Sequence, residues 1–207
     1  MDNTITFYTH PMSRGRIVRW MLEELGVKYT TEIVEYGPPM KSENYLAINP
    51  MGKVPALTCG NEIITEVAGI CAFLADRFPE KGLLPEPGNR GSYYRWLFFG
   101  AGPIEQAVTN HALGFEVPKE KQPMIGYGKL ERVLNTLEAK LNADEFIAGN
   151  QFSAADVYVG SHVIWGLQFK TVDERPAFVD YISHLKERPA YQRAKEIDDR
   201  LMPKKDN

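Results

Sequence analysis

The 207-residue sequence predicts two domains of different class: a small α/β domain over residues 1–79 and an all-helical domain over residues 92–207, joined by a linker at 80–91. Three observations carry that prediction. Before residue 79, stretches of alternating apolar residues are interleaved with stretches of helical spacing. From Tyr93 onward the alternation disappears and helical periodicity dominates. Between the two lies "EKGLLPEPGNRG", rich in proline and glycine and poor in apolar residues, as connecting segments are.

The elements follow in order. "TITFYT" alternates, with Ile5 and Phe7 on one side and Thr4, Thr6 and Tyr8 on the other, which predicts a strand. "RGRIVRWMLEELG" places Ile17, Met21 and Leu25 at helical spacing, joined by Trp20, with Ser13 where an N-cap belongs and Gly26 as the closing cap. "KYTTEIVEY" (28–36) is rich in β-branched and aromatic residues and predicts a second strand. A helix between two strands over so short a span makes a βαβ unit, so these strands should be parallel. "GPPMKSENYLAINPMG" reads as irregular, with one helical turn around Glu43 to Ala47. Val54, Ala56 and Leu57, then Ile63 and Ile64, flank "CGNE", where Gly60-Asn61 signals a type II′ hairpin and an antiparallel pair. "TEVAGICAFLADRFP" puts Val67, Ile70, Leu74 and Phe78 on one helical face, and Pro79 stops it.

In the second domain four segments carry helical periodicity: "SYYRWLFFGAGPIEQAVTNHAL", "IGYGKLERVLNTLEAKL", "AADVYVGSHVIWGLQF" and "AFVDYISHLKERPAYQRAKEID". Before the third stands "FSAADV". Ser153 followed three residues later by Asp156 is a capping box, and Phe152 with Val157 is placed as a hydrophobic staple. Both explain themselves as folding apparatus without a ligand.

Composition excludes several function classes. A net charge of −3 and a pI near 5.9 suggest neither a nucleic-acid nor an anionic-membrane partner. Apolar runs such as "RWLFFGAGPI" are too short to span a bilayer. "MDNTITFYTH" has neither the basic start nor the apolar core of a signal peptide, so a cytoplasmic protein is expected. Cys59 and Cys71 stand in no metal or redox spacing and read as small buried hydrophobes rather than a disulfide. His10, His111, His162 and His184 are scattered, and no metal is expected.

Pro55 raises a question, because a proline donates nothing to a sheet and is normally excluded from one. It fits if its peptide bond is cis and it stands at a strand's beginning. Val54 would then keep its backbone N–H and C=O free of the sheet, where a peptide-like ligand can add itself as a strand.

"NPMGKVPAL", the "TE" that follows it at a helix start, the proline-broken linker and the "FSAADV" box together resemble the glutathione S-transferase family over essentially the whole chain. The resemblance implies a thioredoxin-like first domain that binds glutathione and a helical second domain that contributes a hydrophobic pocket. It implies that Pro55 is the family's cis-proline and that Val54 pairs with the cysteinyl backbone of glutathione. Glu66 would meet the γ-glutamyl ammonium, with backbone N–H groups at the same helix start holding the adjacent carboxylate. Many relatives carry a serine after this glutamate; Val67 stands there instead, so the backbone N–H of Val67 is left to do the work. Lys41 and Lys53 resemble the basic residues that reach the glycyl carboxylate.

The chemistry implied is activation of the glutathione thiol as thiolate, for attack on small electrophilic apolar substrates, as in detoxification. A free thiol has a pKa near 8.5, and lowering it by about two units requires about 2.7 kcal/mol of preferential thiolate stabilisation. One charge-assisted hydrogen bond, about 1.5–3 kcal/mol, supplies most of that. Two hydroxyls compete for the role: Ser13 at the start of the first helix, favoured by the helix potential, and Tyr8 at the end of the first strand. Arg14 and Arg16 add positive potential nearby. Tyr94, Phe98, Phe99, His111 and Trp165 are the aromatic candidates for the electrophile's pocket. The resemblance also implies a homodimer. Two alternatives stay open: a non-catalytic binding or interaction module on the same scaffold, and a glutathione-dependent disulfide-bond reductase.

Overall fold

The computed structural model describes residues 4–203. Contacts divide the chain into two units, Met1–Lys81 with Glu187–Asn207, and Gly82–Lys186. The C-terminal segment is thus continuous in sequence with the second unit but packs within the first.

The first unit is built on a four-stranded sheet of order β2-β1-β3-β4, with β1 at Ile5–Thr9, β2 at Thr30–Ile33, β3 at Ala56–Cys59 and β4 at Glu62–Thr65. β1 and β2 are parallel, while β1–β3 and β3–β4 are antiparallel. In the two-residue hairpin only Gly60 has a positive φ, at 57°, as a type II′ turn requires. β2 is shorter than the 28–36 span predicted. It is an edge strand whose one partner, β1, ends at Thr9, and the pairing finishes with the Val34 N–H donating to the Thr9 carbonyl (2.9 Å).

Helices α1 (Gly15–Leu25) and α3 (Val67–Arg77) pack on the sheet, and α2 (Glu43–Leu46) is a single turn. Ile17, Val18, Trp20, Met21, Leu22 and Leu25 of α1 are all buried, each worth about 1.5–3 kcal/mol of burial for its size class. Gly26 closes α1 in the left-handed conformation (φ 61°) as predicted. The N-cap prediction needs correction: Arg14, not Ser13, occupies the cap position. A turn precedes the helix, with the Ser13 N–H donating to the His10 carbonyl, so the helix begins one residue late.

More side chains of α1 are buried than one face supplies, because its other side meets α9 (Pro189–Arg200). These two helices run antiparallel along a charged seam. Arg16 pairs with Asp199, Arg19 with Asp198, Glu23 with Arg193 and Glu24 with Arg188, while Trp20 meets the Tyr191 ring edge-on.

The second unit contains α4 (Arg90–Phe99), α5 (Glu105–Ala112), α6 (Leu130–Leu141), α7 (Ala154–Gln168) and α8 (Pro176–Glu187). A π-helical turn, Gly100–Ile104, joins α4 to α5. Pro103 lies inside it, and a proline has no N–H to donate and crowds the carbonyl four residues back, so the turn widens. α7 is buried almost throughout, since its alanine, valine and glycine side chains are small enough for neighbours on every side. At Gly160 a Cβ would stand 2.3 Å from a methyl of the buried Leu185, which would have to move to admit it. The last predicted helical segment is split at Pro189, which opens α9 from an extended Arg188 (ψ 127°).

Candidate active site at one end of the sheet

Strand register decides where the candidate residues meet. Tyr8 is opposite Ala56, and Ala56 is opposite Thr65. The end of β1, the start of β3 and the end of β4 therefore lie side by side. Tyr8, the Val54–Pro55 pair and the Glu66–Val67 pair emerge together there, and β1 continues directly into the loop that carries Ser13. Lys53 precedes Val54, and Lys41 is tied to Gly52 through its carbonyl (3.0 Å).

The Val54–Pro55 peptide bond is cis. The backbone before it is fixed from both sides: the Lys53 carbonyl accepts from the Tyr45 hydroxyl (2.7 Å) and from the buried Asn49 side-chain amide (2.8 Å). Among the described residues, nothing is hydrogen-bonded to the Val54 N–H or C=O. Its side chain packs on a small cluster of Val34, Met40 and Tyr45, which Tyr8 also joins. Burial, and secondarily the neighbouring Tyr8 hydroxyl, pushes the Tyr45 hydroxyl up to about 12, so it stays a neutral donor.

Lys41 donates to the carbonyls of both Met51 and Gly52 (3.0 Å each), which leaves one of its three N–H groups for a ligand. The Lys53 side chain is exposed. Glu66 is exposed and sits immediately before α3 at φ 62°, ψ 119°, a conformation that costs a non-glycine residue of order 1–3 kcal/mol. Its side chain makes no cap hydrogen bond, so the carboxylate is not spent on its own helix. Val67 opens α3, where first-turn N–H groups lack helical partners.

The two hydroxyls differ in their commitments. Ser13 Oγ donates to the His10 carbonyl (2.7 Å) and accepts from the Gly15 N–H (3.0 Å). Tyr8 is half-buried, and among the described residues its hydroxyl has no hydrogen-bond partner. Around the loop stand residues that the sequence did not single out. His10 is buried, its Nδ1 accepts from the Met12 N–H (3.2 Å), and its Nε2 faces Glu35 at 3.3 Å. The Tyr36 ring lies 4.3 Å from that of His10, and its hydroxyl donates to the Met12 carbonyl. Tyr45 and Asn49 were within sight, since "NYLAINP" leads into the motif, but nothing local shows that they grip Lys53.

Cys59 and Cys71 are buried and unbridged, and burial pushes Cys71 up to about 12. Of the aromatic pocket candidates, Tyr94, Phe98 and His111 are exposed, while Phe99 and Trp165 are half-buried. Among the described residues no group of three or more His, Cys, Asp or Glu could hold a metal ion, and no helix is long and apolar enough to cross a membrane.

A family model for the glutathione S-transferase N-terminal domain matches residues 12–77, and one for the C-terminal domain matches residues 94–189. The chain belongs to the glutathione S-transferase family. It is accordingly an enzyme of the glutathione S-transferase class. It is 29% identical to glutathione S-transferase GstA of Escherichia coli O157:H7 over 157 residues, 73% of this chain and 77% of the relative. A glutathione transferase structure from Methylococcus capsulatus superposes with a TM-score of 0.77 at 27% identity, covering 95% of this chain and 99% of that one. A sphingomonad glutathione S-transferase complexed with glutathione gives a TM-score of 0.73 at 26% identity, covering 94% and 98%. Both comparisons match the α/β and helical parts that the sequence predicted.

Proposed function

We propose that this glutathione S-transferase binds glutathione at the end of the sheet and presents its thiol, as thiolate, to a small apolar electrophile. The observation that carries the proposal is the free Val54 backbone beside a clamped Lys53 carbonyl. It is a short strand edge left open at a fixed place, and the cysteinyl N–H and C=O of glutathione complete it. The γ-glutamyl ammonium meets Glu66, whose exposed carboxylate has no cap to serve. The neighbouring carboxylate takes the Val67 N–H at the start of α3. Lys53, with the remaining N–H of Lys41, takes the glycyl carboxylate.

Ser13 then supplies the hydrogen bond to the thiolate, helped by the potential at the start of α1. Its O–H must first turn away from the His10 carbonyl, while the Gly15 N–H stays on its oxygen and polarises it. Tyr8 is the second reading for this role, favoured by a hydroxyl that has nothing to give up. The same Ser13–His10 bond is what favours a binding module without thiol chemistry. A disulfide-reductase role draws no support from the buried cysteines. The remaining parts of the reading are a first domain at 1–79, a linker at 80–91, a pocket in the helical domain, a cytoplasmic homodimer, and no metal.

The test is the ultraviolet thiolate band of glutathione in excess protein as a function of pH, for the native protein, Ser13→Ala and Tyr8→Phe. Native protein should hold the band well below the free thiol's pKa, and Ser13→Ala should move it back by about 1–2 pH units. Loss in Tyr8→Phe alone would transfer the role to Tyr8. Binding without any band in the native protein would leave the module.

A further inference from the structure

Arg16 is engaged on two sides at the base of the loop that carries Ser13. Its Nε–H donates to the Pro11 carbonyl (2.5 Å), and its Nη1 donates to Asp199 Oδ1 (2.8 Å). The other Asp199 oxygen accepts from Lys195 (2.7 Å), and these contacts hold the Asp199 carboxyl below its usual range, Lys195 first and Arg16 next. Asp199 belongs to α9. That helix is anchored by the preceding residue, because Asp198 is buried against Arg19 Nε (3.0 Å) and cannot drift without parting a buried ion pair. Pro11 has no N–H, so its carbonyl is the one backbone polar group by which it can be held. It lies between His10, which receives the Ser13 hydroxyl, and Ser13 itself.

We propose that Arg16, held by Asp199 of α9, is a positioning residue that fixes the Ser13 loop for thiol activation, so that the C-terminal helix is part of the catalytic apparatus. The proposal rests on the thiol-activating reading of that loop. Its consequence has a sign. If Arg16 served only as a positive charge near the thiolate, neutralising Asp199 would expose more of that charge and lower the thiol pKa. If Arg16 serves by position, the same change loosens its grip on Pro11 and raises the thiol pKa.

The experiment compares the full-length protein with Asp199→Asn and with Arg200→Gln, a control that breaks another pair on the same helix. Two readouts are taken: amide hydrogen exchange at His10, Met12, Ser13 and Arg14, and the pKa of glutathione's thiol when bound. Asp199→Asn should speed exchange in the loop about tenfold and raise the thiol pKa by about half a unit, roughly threefold less thiolate near neutrality. Arg200→Gln should change neither. Unchanged loop exchange in Asp199→Asn, a fall in the thiol pKa, or faster exchange with an unmoved pKa each overturns the proposal. A native protein that binds glutathione without shifting its thiol refutes the thiol-activating reading itself, and with it the catalytic half of this proposal. Loop exchange then decides whether the clamp exists.

Discussion

Asp156 of the second unit and Asp198 of the first are 0% and 1% exposed, and they stabilise their surroundings by opposite means. Asp156 is surrounded by neutral donors: the Ile147 N–H, the Ser153 N–H and hydroxyl, and the Tyr181 hydroxyl, all at 2.7–2.9 Å. Asp198 meets a full positive charge through one bond from Arg19, while Asp198 Oδ2 and Arg19 Nη2 have no partner among the described residues. Arg19 itself is held over the rings of Phe7 and Tyr29 and bonded to Thr31. Burial raises the pKa of both acids, that of Asp156 to about 6 despite its four donors. Dipoles can saturate a buried carboxylate, yet proton binding remains easy. A buried ion pair depends on its partner, and removal of either charge leaves the other exposed to the full cost of desolvation.

The largest effect is expected of Asp198→Ala. It leaves Arg19 charged and buried, and should cost about 3–5 kcal/mol in urea unfolding at neutral pH. Replacing both partners with apolar residues of similar volume, Arg19→Met with Asp198→Leu, should recover most of that loss. A cost below about 1 kcal/mol for the single change would mean that water reaches the seam and that α9 is held by packing alone.

Asp156 should show itself through pH instead. Its folded pKa is raised, so between about pH 4 and pH 6 the folded chain keeps a proton that the unfolded chain has lost. The stability it contributes is therefore full at the acid end and falls as pH rises through 6, by about 2–3 kcal/mol across the window. Asp198 shares the direction, and Asp156→Asn leaves that background intact. The difference between native and Asp156→Asn unfolding free energies, measured from pH 4 to pH 7.5, isolates the one group. A difference that is flat with pH would show that the four donors fully offset burial, and one that rises with pH that they outweigh it.

The two aspartates also explain how much the sequence could reveal. Asp156 was legible because its partner Ser153 is three residues away, and so were the Gly26 cap and the Gly60-Asn61 turn, which are local rules of backbone geometry. "NPMGKVPAL" gave the neighbourhood of Val54 and Glu66 by likeness, not by periodicity. Asp198 was not legible, because Arg19 is 179 positions away and a charged residue in a polar helix looks solvated until its neighbours are known. The same holds for the Tyr45 and Asn49 grip on Lys53 and for Arg16 on Pro11. Ser13 misled for a related reason: the helix-start pattern was correct, but a turn closed by the His10 carbonyl shifted the start by one residue.

A smaller effect belongs to the local side of the comparison. Ser153→Ala removes the hydroxyl donated to Asp156 but keeps the Ser153 backbone N–H on the same oxygen. The expected cost is about 1 kcal/mol, typical of a lost cap. It should be larger above pH 6 than below, because the lost donor stabilised the charged form. Equal cost at pH 4.5 and pH 7.5 would detach the hydroxyl from the Asp156 titration.

The smallest effect tests whether charge count or burial gives the seam its strength. Arg193 pairs with Glu23 at the same interface, yet its side chain is 53% exposed and the geometry is ordinary at 3.2 Å. Arg193→Gln should therefore cost no more than about 0.5 kcal/mol, and the difference should vanish in molar salt, which screens exposed charges but not buried ones. Asp198→Ala should keep its full effect in the same buffer. If the two variants instead responded alike to salt, the seam would be a surface network of interchangeable pairs, and α9 would be anchored by all of its pairs together rather than by Asp198.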